Sequence, residues 1–138
     1  MPVRATEVKP RVHLRVARAT NDLEAVIRFY RDGLGLVEIG SFRDHDGFDG
    51  VMLGTGNQQY HLEFTRQRGH PVAGAPTREN LLVFYLPEAR SYSETIARMR
   101  AHGYEPVASQ NPYWDRGGAT FEDPDGYRVV LYSGAWQK

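Results

Sequence analysis

The chain has 138 residues, of which 41% are hydrophobic, and its 17 basic side chains balance 17 acidic ones. This is the composition of one ordinary soluble domain that can bury its own core. The absence of cysteine excludes disulfides, thiolate nucleophiles and cysteine-based metal sites, so any metal must bind to His, Asp, Glu or water. Zero net charge provides no basic surface for a phosphate backbone and argues against nucleic acid as a partner.

Membrane and export signals are missing from the sequence. No stretch approaches the roughly 20 apolar residues of a membrane span. The first residues, MPVRATEVKPR, lack the apolar region of a secretory signal. We therefore expect a cytoplasmic protein with no membrane partner.

The first half of the chain has the pattern of a strand, a helix and three more strands. Apolar and polar residues alternate over 11–16, which predicts a strand with one apolar face. The segment NDLE at 21–24 is typical of a helix N-terminus, and the apolar spacing that follows predicts a helix over 22–32, ended by Gly33 and Gly35. The three strands are predicted at 36–42, 50–53 and 59–65, with DHDGFDG and GTGN as turns.

The second half repeats this order after an aperiodic connection at 66–79. Residues 81–86 are an apolar, β-favouring run, and SYSE at 91–94 matches a capping box that opens a helix over 92–102. Gly103 ends that helix. Strands are predicted at 104–108, 118–122 and 127–132, with the tight turn DPDG at 123–126.

The two halves correspond at a nearly constant spacing, because Gly35 lies 68 residues before Gly103 and Glu63 lies 67 before Val130. A duplicated βαβββ unit follows from this. The prediction is an α+β fold of two βαβββ modules, at about 11–65 and 80–133, whose eight strands form an incomplete barrel around a cleft. Residues 1–138 are expected to form a single domain.

Three segments make the sequence resemble the vicinal oxygen chelate superfamily, which includes glyoxalase I, extradiol dioxygenases, fosfomycin-modifying enzymes and bleomycin-resistance proteins. They are the helix pattern at 22–36, His61-Leu62-Glu63-Phe64, and the strand-turn-strand segment at 120–131. The tetrapeptide NPYW at 111–114 is similar to that of a little-characterised single-domain branch. The resemblance implies the duplicated fold and pairing into a homodimer.

The resemblance also implies where a metal would bind. In metal-dependent members, each half contributes one ligand from its first strand and one from its last. Glu63 matches the ligand on the last strand of the first half, and His13 or Arg11 falls on the first strand. The corresponding second-half positions hold Val130 and either Leu81 or Val83, which cannot bind a metal.

Two alternatives follow for Glu63. His61 and Glu63 lie two residues apart on a strand and share a face, so His13, His61 and Glu63 are the candidate ligands of one Mn, Fe, Ni, Co or Zn ion. In that site Glu63 and His13 are the candidate catalytic residues. Without a metal, Glu63 pairs instead with an arginine on the same face, Arg15 or Arg11.

Further candidate ligand-binding residues are Arg11, Arg15, His61, Tyr113 and Trp114. The arginines favour an anionic or carbonyl-bearing small molecule. Tyr113 and Trp114 lie in a predicted loop, where they form either a stacking wall for a ligand or a hydrophobic lid over one end of the sheet. The sequence thus leaves two functions open. One is a metal-assisted lyase, isomerase or oxygenase, and the other is a metal-free small-molecule binding or resistance protein.

Overall fold

A computed structural model describes residues 12–55 and 59–136. It shows two small sheets and few helices, and the sheets do not close into a barrel. The α+β fold of βαβββ type that the sequence predicts is confirmed. Among the described residues, no helix is both long enough and apolar enough to cross a membrane.

The first sheet has four strands in the order β1-β4-β3-β2. Strand β1 runs parallel to β4, and the other neighbours are antiparallel. The strands are β1 (Leu14–Ala19), β2 (Val37–His45), β3 (Phe48–Gly54) and β4 (Tyr60–Gln67). This is the strand order of one βαβββ module, with its helix between β1 and β2.

The second sheet has three strands in the order β5-β7-β6, with β5 parallel to β7. The strands are β5 (Leu81–Leu86), β6 (Gly118–Glu122) and β7 (Arg128–Ser133). The strand predicted at 104–108 does not form; only Val107 makes an isolated bridge, to Thr120. Pro106 has no N–H to donate, which interrupts a ladder at this point.

The helices begin and end close to the predicted positions, with two differences. Helix α1 (Leu23–Ile27), capped by the Asp22 carboxylate, continues as a π-helical segment, Arg28–Gly33. Helix α2 (Ala89–Ala101) starts before the predicted capping box, with Glu88 at the N-cap and no side-chain cap. A short helix, α3 (Tyr113–Gly117), lies where a loop was expected.

The two modules share one core. Buried apolar side chains come from α1, its π-helical continuation, α2 and the inner faces of both sheets; the largest are Phe29, Tyr30, Leu53, Met99 and Phe121. The π-helical segment approaches α2 closely, since a Cβ on Gly33 would lie 2.9 Å from the sulfur of Met99. Arg98 of α2 donates to the carbonyl oxygens of Gly33 and Leu34, each at 2.9 Å.

A buried polar contact also joins the modules. The Tyr30 hydroxyl donates to the carboxylate of Asp123 at 2.7 Å, and that carboxylate accepts the backbone N–H groups of Asp125 and Tyr127 at 2.9 and 3.0 Å. Arg18 of β1 lies 3.8 Å from the same carboxylate, whose side chain is 1% exposed. The turn between β6 and β7 is thereby tied to the first module.

Candidate functional site

Four of the predicted site residues of the first half lie together on one face of the first sheet. Leu62 and Phe64 of β4 point into the core, so His61 and Glu63 point to the opposite face. Arg15 of β1 lies beside His61 in the strand register, and His13 lies just before β1. We call the group His13, Arg15, His61 and Glu63 the polar cluster.

Arg15 is the centre of the polar cluster. Its Nη1 lies 3.3 Å from the carboxylate of Glu63, and its Nε donates to His61 Nε2 at 2.7 Å. The Arg15 side chain is 49% exposed and that of Glu63 is 15% exposed. Of the two alternatives for Glu63, the structure shows the arginine pair.

The hydrogen bonds fix which nitrogen of each imidazole carries a proton. The Arg15 guanidinium can only donate, so His61 Nε2 must accept. Neutral His61 then carries its proton on Nδ1, which lies 2.5 Å from His13 Nε2 and donates to it. A second proton on either ring would place two N–H donors face to face. The hydrogen-bonded chain from Arg15 through His61 to His13 therefore requires both imidazoles to be neutral.

The electrostatics agree with this proton arrangement. Burial lowers the pKa of His61, and the positive charge of Arg15 and neighbouring His13 lower it further, while Glu63 opposes them. A histidine with a depressed native pKa stabilises the fold fully above its unfolded pKa, and that contribution is lost as pH falls through the native value. The polar cluster should therefore loosen in acid.

We expect His61 to titrate below an ordinary histidine, which titrates near about 6.5. Its neutral form should be the Nδ1–H tautomer. The measurement is a pH series of imidazole nitrogen chemical shifts on the wild type and on Arg15→Leu. Because the leucine removes both a donor and a positive charge, the pKa of His61 should rise in the variant. An unchanged pKa of His61 in Arg15→Leu, or an Nε2–H tautomer of His61 in the wild type, would contradict this hydrogen-bond assignment.

The polar cluster has small neighbours on two sides. On the same face, Ala17 of β1 is opposite Glu63 and Gly54 of β3 is opposite His61, while Met52 of β3 is the larger neighbour of Glu63. The Arg15 guanidinium has donors beyond Nε and the Nη1 that faces Glu63, and half of its side chain is exposed. An oxygen-bearing small molecule can therefore reach it.

The donors do not fit a divalent metal as they are arranged. His61 Nε2 accepts from Arg15, its Nδ1 faces His13, and Glu63 faces the guanidinium. A cation held by these groups would displace Arg15 or lie beside its charge. Among the described residues, no group of three or more His, Asp or Glu side chains is arranged to hold a metal.

The second sheet contributes no ligand from the predicted positions. Val130, which takes the place of the expected acid, is 0% exposed. Its face of the sheet is covered by α3, because a Cβ on Gly118 would lie 3.0 Å from the Trp114 carbonyl oxygen and 3.3 Å from Val130. A glutamate introduced at Val130 would thus be buried.

The two loop aromatics lie on that covered face. Trp114 packs edge-on against Tyr132 of β7 at 5.9 Å, and Tyr113 stacks parallel to Tyr132 at 6.4 Å between ring centroids. This packing is what the lid interpretation describes. Tyr113 is 49% exposed and is the part of this aromatic group that a ligand can contact.

Two points complete the comparison of the site with the sequence analysis. Arg11, a candidate for ligand binding, lies outside the described residues. The covering of the second sheet by residues 107–117 extends the lid that the sequence left open as one alternative for Tyr113 and Trp114; it includes contacts of Ser109 with Thr120 and with Asp115. A further sequence signal was that Val83 and Val130 are apolar where a site on an open face would place polar groups.

Comparison with known proteins agrees with the fold and the two modules. Residues 14–65 match the family profile of the YycE-like N-terminal domain, and residues 79–133 match that of the YycE-like C-terminal domain. The chain is 48% identical over 118 residues to the uncharacterized protein YycE of Bacillus subtilis (strain 168), covering 86% of this chain and 85% of that protein.

Solved structures show the same architecture. The crystal structure of a YycE protein of unknown function from Bacillus subtilis superposes with a TM-score of 0.83 at 44% identity, covering 91% of each chain. The trypanothione-dependent glyoxalase I of Leishmania major superposes with a TM-score of 0.69 at 23% identity, covering 91% of this chain and 88% of that one.

Proposed function

The chain belongs to the YycE-like family of the vicinal oxygen chelate superfamily, and on this premise we propose that it binds a small carboxylate- or carbonyl-bearing molecule on the polar cluster without a metal. The observation that carries the proposal is the half-exposed guanidinium of Arg15, held between a neutral imidazole and a carboxylate.

Each member of the polar cluster has a part in this proposal. Arg15 donates to the ligand oxygen, and a charge-assisted bond of this kind is stronger than a neutral one. Glu63 and His61 hold the guanidinium in place from two sides. His13 is the exposed end of this hydrogen-bonded chain.

The test uses benzoate and pyruvate as probes, a planar carboxylate and a keto acid. We expect both to shift the imidazole signals of His13 and His61 at millimolar concentration. Arg15→Leu should weaken binding by about ten- to a hundredfold, since a hydrogen bond to a charged group contributes roughly 1.5–3 kcal/mol. Arg31→Leu is the matched control, because Arg31 is similarly exposed, at 44%, but lies on the helix. Binding that survives in Arg15→Leu, or shifts from neither probe, would refute the proposal.

The competing candidate is a metal-dependent enzyme of the same superfamily. The observation in its favour is that two imidazoles and a carboxylate lie together: His61 and Glu63 contact the Arg15 guanidinium, and His13 contacts His61. The same samples distinguish the two functions by calorimetric titration with Mn, Fe, Ni, Co and Zn. One tightly bound equivalent that Glu63→Gln abolishes would replace the metal-free proposal, whereas we expect weak binding that Glu63→Gln does not change. Homodimer formation stays a prediction.

A further inference from the structure

A second possible binding site lies on the other face of β1. It is a cavity of about 500 Å³ between the two modules. One wall is formed by Leu14 and Val16 of β1 with Tyr60 of β4, and the facing wall by Phe84 and Leu86 of β5. Because side chains alternate along a strand, Leu14 and Val16 point away from the face that carries Arg15. The cavity is therefore separate from the polar cluster.

The lining of this cavity is chemically uniform. None of its fifteen residues carries a charge. Three of its four hydroxyl groups already have partners within the protein: Thr95 donates to the carbonyl oxygen of Ser91 at 2.8 Å, and Tyr60 is hydrogen-bonded to Thr55. The fourth is that of Tyr85. A charged ligand would lose its hydration here without gaining a partner, whereas an apolar ligand would lose nothing.

Burial around the cavity is incomplete. All six residues of β5 are apolar or aromatic, yet none of them is fully buried. Leu14 is 57% exposed on the opposite wall, and the rings of Tyr60 and Phe84 lie 6.4 Å apart. Apolar side chains from two modules thus face a space that the described chain does not fill, and its volume lies in the usual range of small-molecule pockets.

We infer that this cavity binds an uncharged, aromatic or aliphatic small molecule. The ligand lies between β1 and β5 and covers the exposed parts of Leu14 and Phe84. Recognition is by shape and apolar contact alone. This site is independent of the polar cluster, so the two ligands need not be the same molecule.

The probe is N-phenyl-1-naphthylamine, an uncharged dye whose fluorescence rises in an apolar environment. We expect saturable binding of one equivalent, displaced by naphthalene at least about tenfold more effectively than by 1-naphthoate, because the lining offers no counter-charge. Arg15→Leu should bind the dye as the wild type does, which separates this inference from the proposed function.

Two variants locate the site. Leu14→Asp places a charge at the cavity and should weaken dye binding at least about tenfold. Val37→Asp is the matched control, since Val37 is an equally exposed strand residue, at 58%, that does not line the cavity, and it should leave binding unchanged. Val16→Phe fills the cavity from within and should also abolish binding, with far-UV circular dichroism to verify folding.

Three results would overturn the inference. The first is that the wild type shows no saturable dye binding. The second is that Leu14→Asp and Val37→Asp lose dye binding equally. The third is a wild-type dimer in sedimentation that excludes the dye and dissociates in Leu14→Asp. That result would identify the cavity as an interface between two copies of the chain.

Discussion

Asp123→Ala should destabilise the protein by about 3–5 kcal/mol, the usual cost of breaking a buried ion pair from one side. The carboxylate accepts the Tyr30 hydroxyl and two backbone N–H groups and faces Arg18. Its removal leaves the Tyr30 hydroxyl and the two backbone N–H groups without their acceptor, and it removes the negative charge that faces Arg18. The melting temperature should fall by about 10 °C or more in a thermal scan.

The matched control is Asp125→Ala in the same turn. Asp125 is partly exposed, so the expected change is within about 1 kcal/mol. A loss in Asp125→Ala as large as that in Asp123→Ala would show that the turn itself, and not the buried contact, is responsible.

The loss of stability caused by Asp123→Ala should also depend on pH. Burial raises the pKa of Asp123 in the folded protein, which outweighs the opposite effect of its hydrogen bonds. An acid with a raised native pKa contributes stability that is complete below its unfolded pKa, near about 3.9, and is lost as pH rises through the native value. The difference in the free energy of unfolding between wild type and variant should therefore be larger near pH 4 than near pH 7. A stability difference that grows with pH would contradict this account.

Phe29→Ala is expected to cost about 3–5 kcal/mol as well, through a cavity in the shared core. Phe29 is 0% exposed, and its ring meets those of Tyr30 and Tyr104 at 4.8 and 4.9 Å between centroids. Because this core contains side chains of both modules, the two modules should lose stability together. The measurement is chemical unfolding followed by far-UV circular dichroism and by tryptophan fluorescence.

The two probes should give one coincident transition in Phe29→Ala and in the wild type, as the single-domain prediction requires. Tryptophan fluorescence reports only on the second module and the segment after it, where Trp114 and Trp136 lie. A fluorescence transition that stays at the wild-type midpoint while the dichroism transition shifts would mean that the modules unfold separately. Val37→Ala, at an exposed position, should change stability by less than about 0.5 kcal/mol.

The sequence by itself determined the duplication and the order of the elements, apart from the strand predicted at 104–108 and helix α3. Periods of two and 3.6 residues are local properties of the chain, and glycines such as Gly35 and Gly103, both with φ of +90°, mark helix ends. The same periodicity placed His61 and Glu63 on one face, opposite Leu62 and Phe64. It also limited the partners of Glu63 to a metal or an arginine.

Only the tertiary structure shows that Arg15 lies close enough to pair with Glu63. Arg15 and Glu63 lie 48 residues apart in the chain, and the parallel pairing of β1 with β4 brings them together. The proton arrangement of His61 likewise depends on two distant residues, Arg15 and His13. Local patterning cannot show that α3 covers Val130. That contact depends on the path of the segment after Pro106, where no strand forms and the chain continues into α3. Contacts of this kind depend on how the sheets and helices pack in three dimensions.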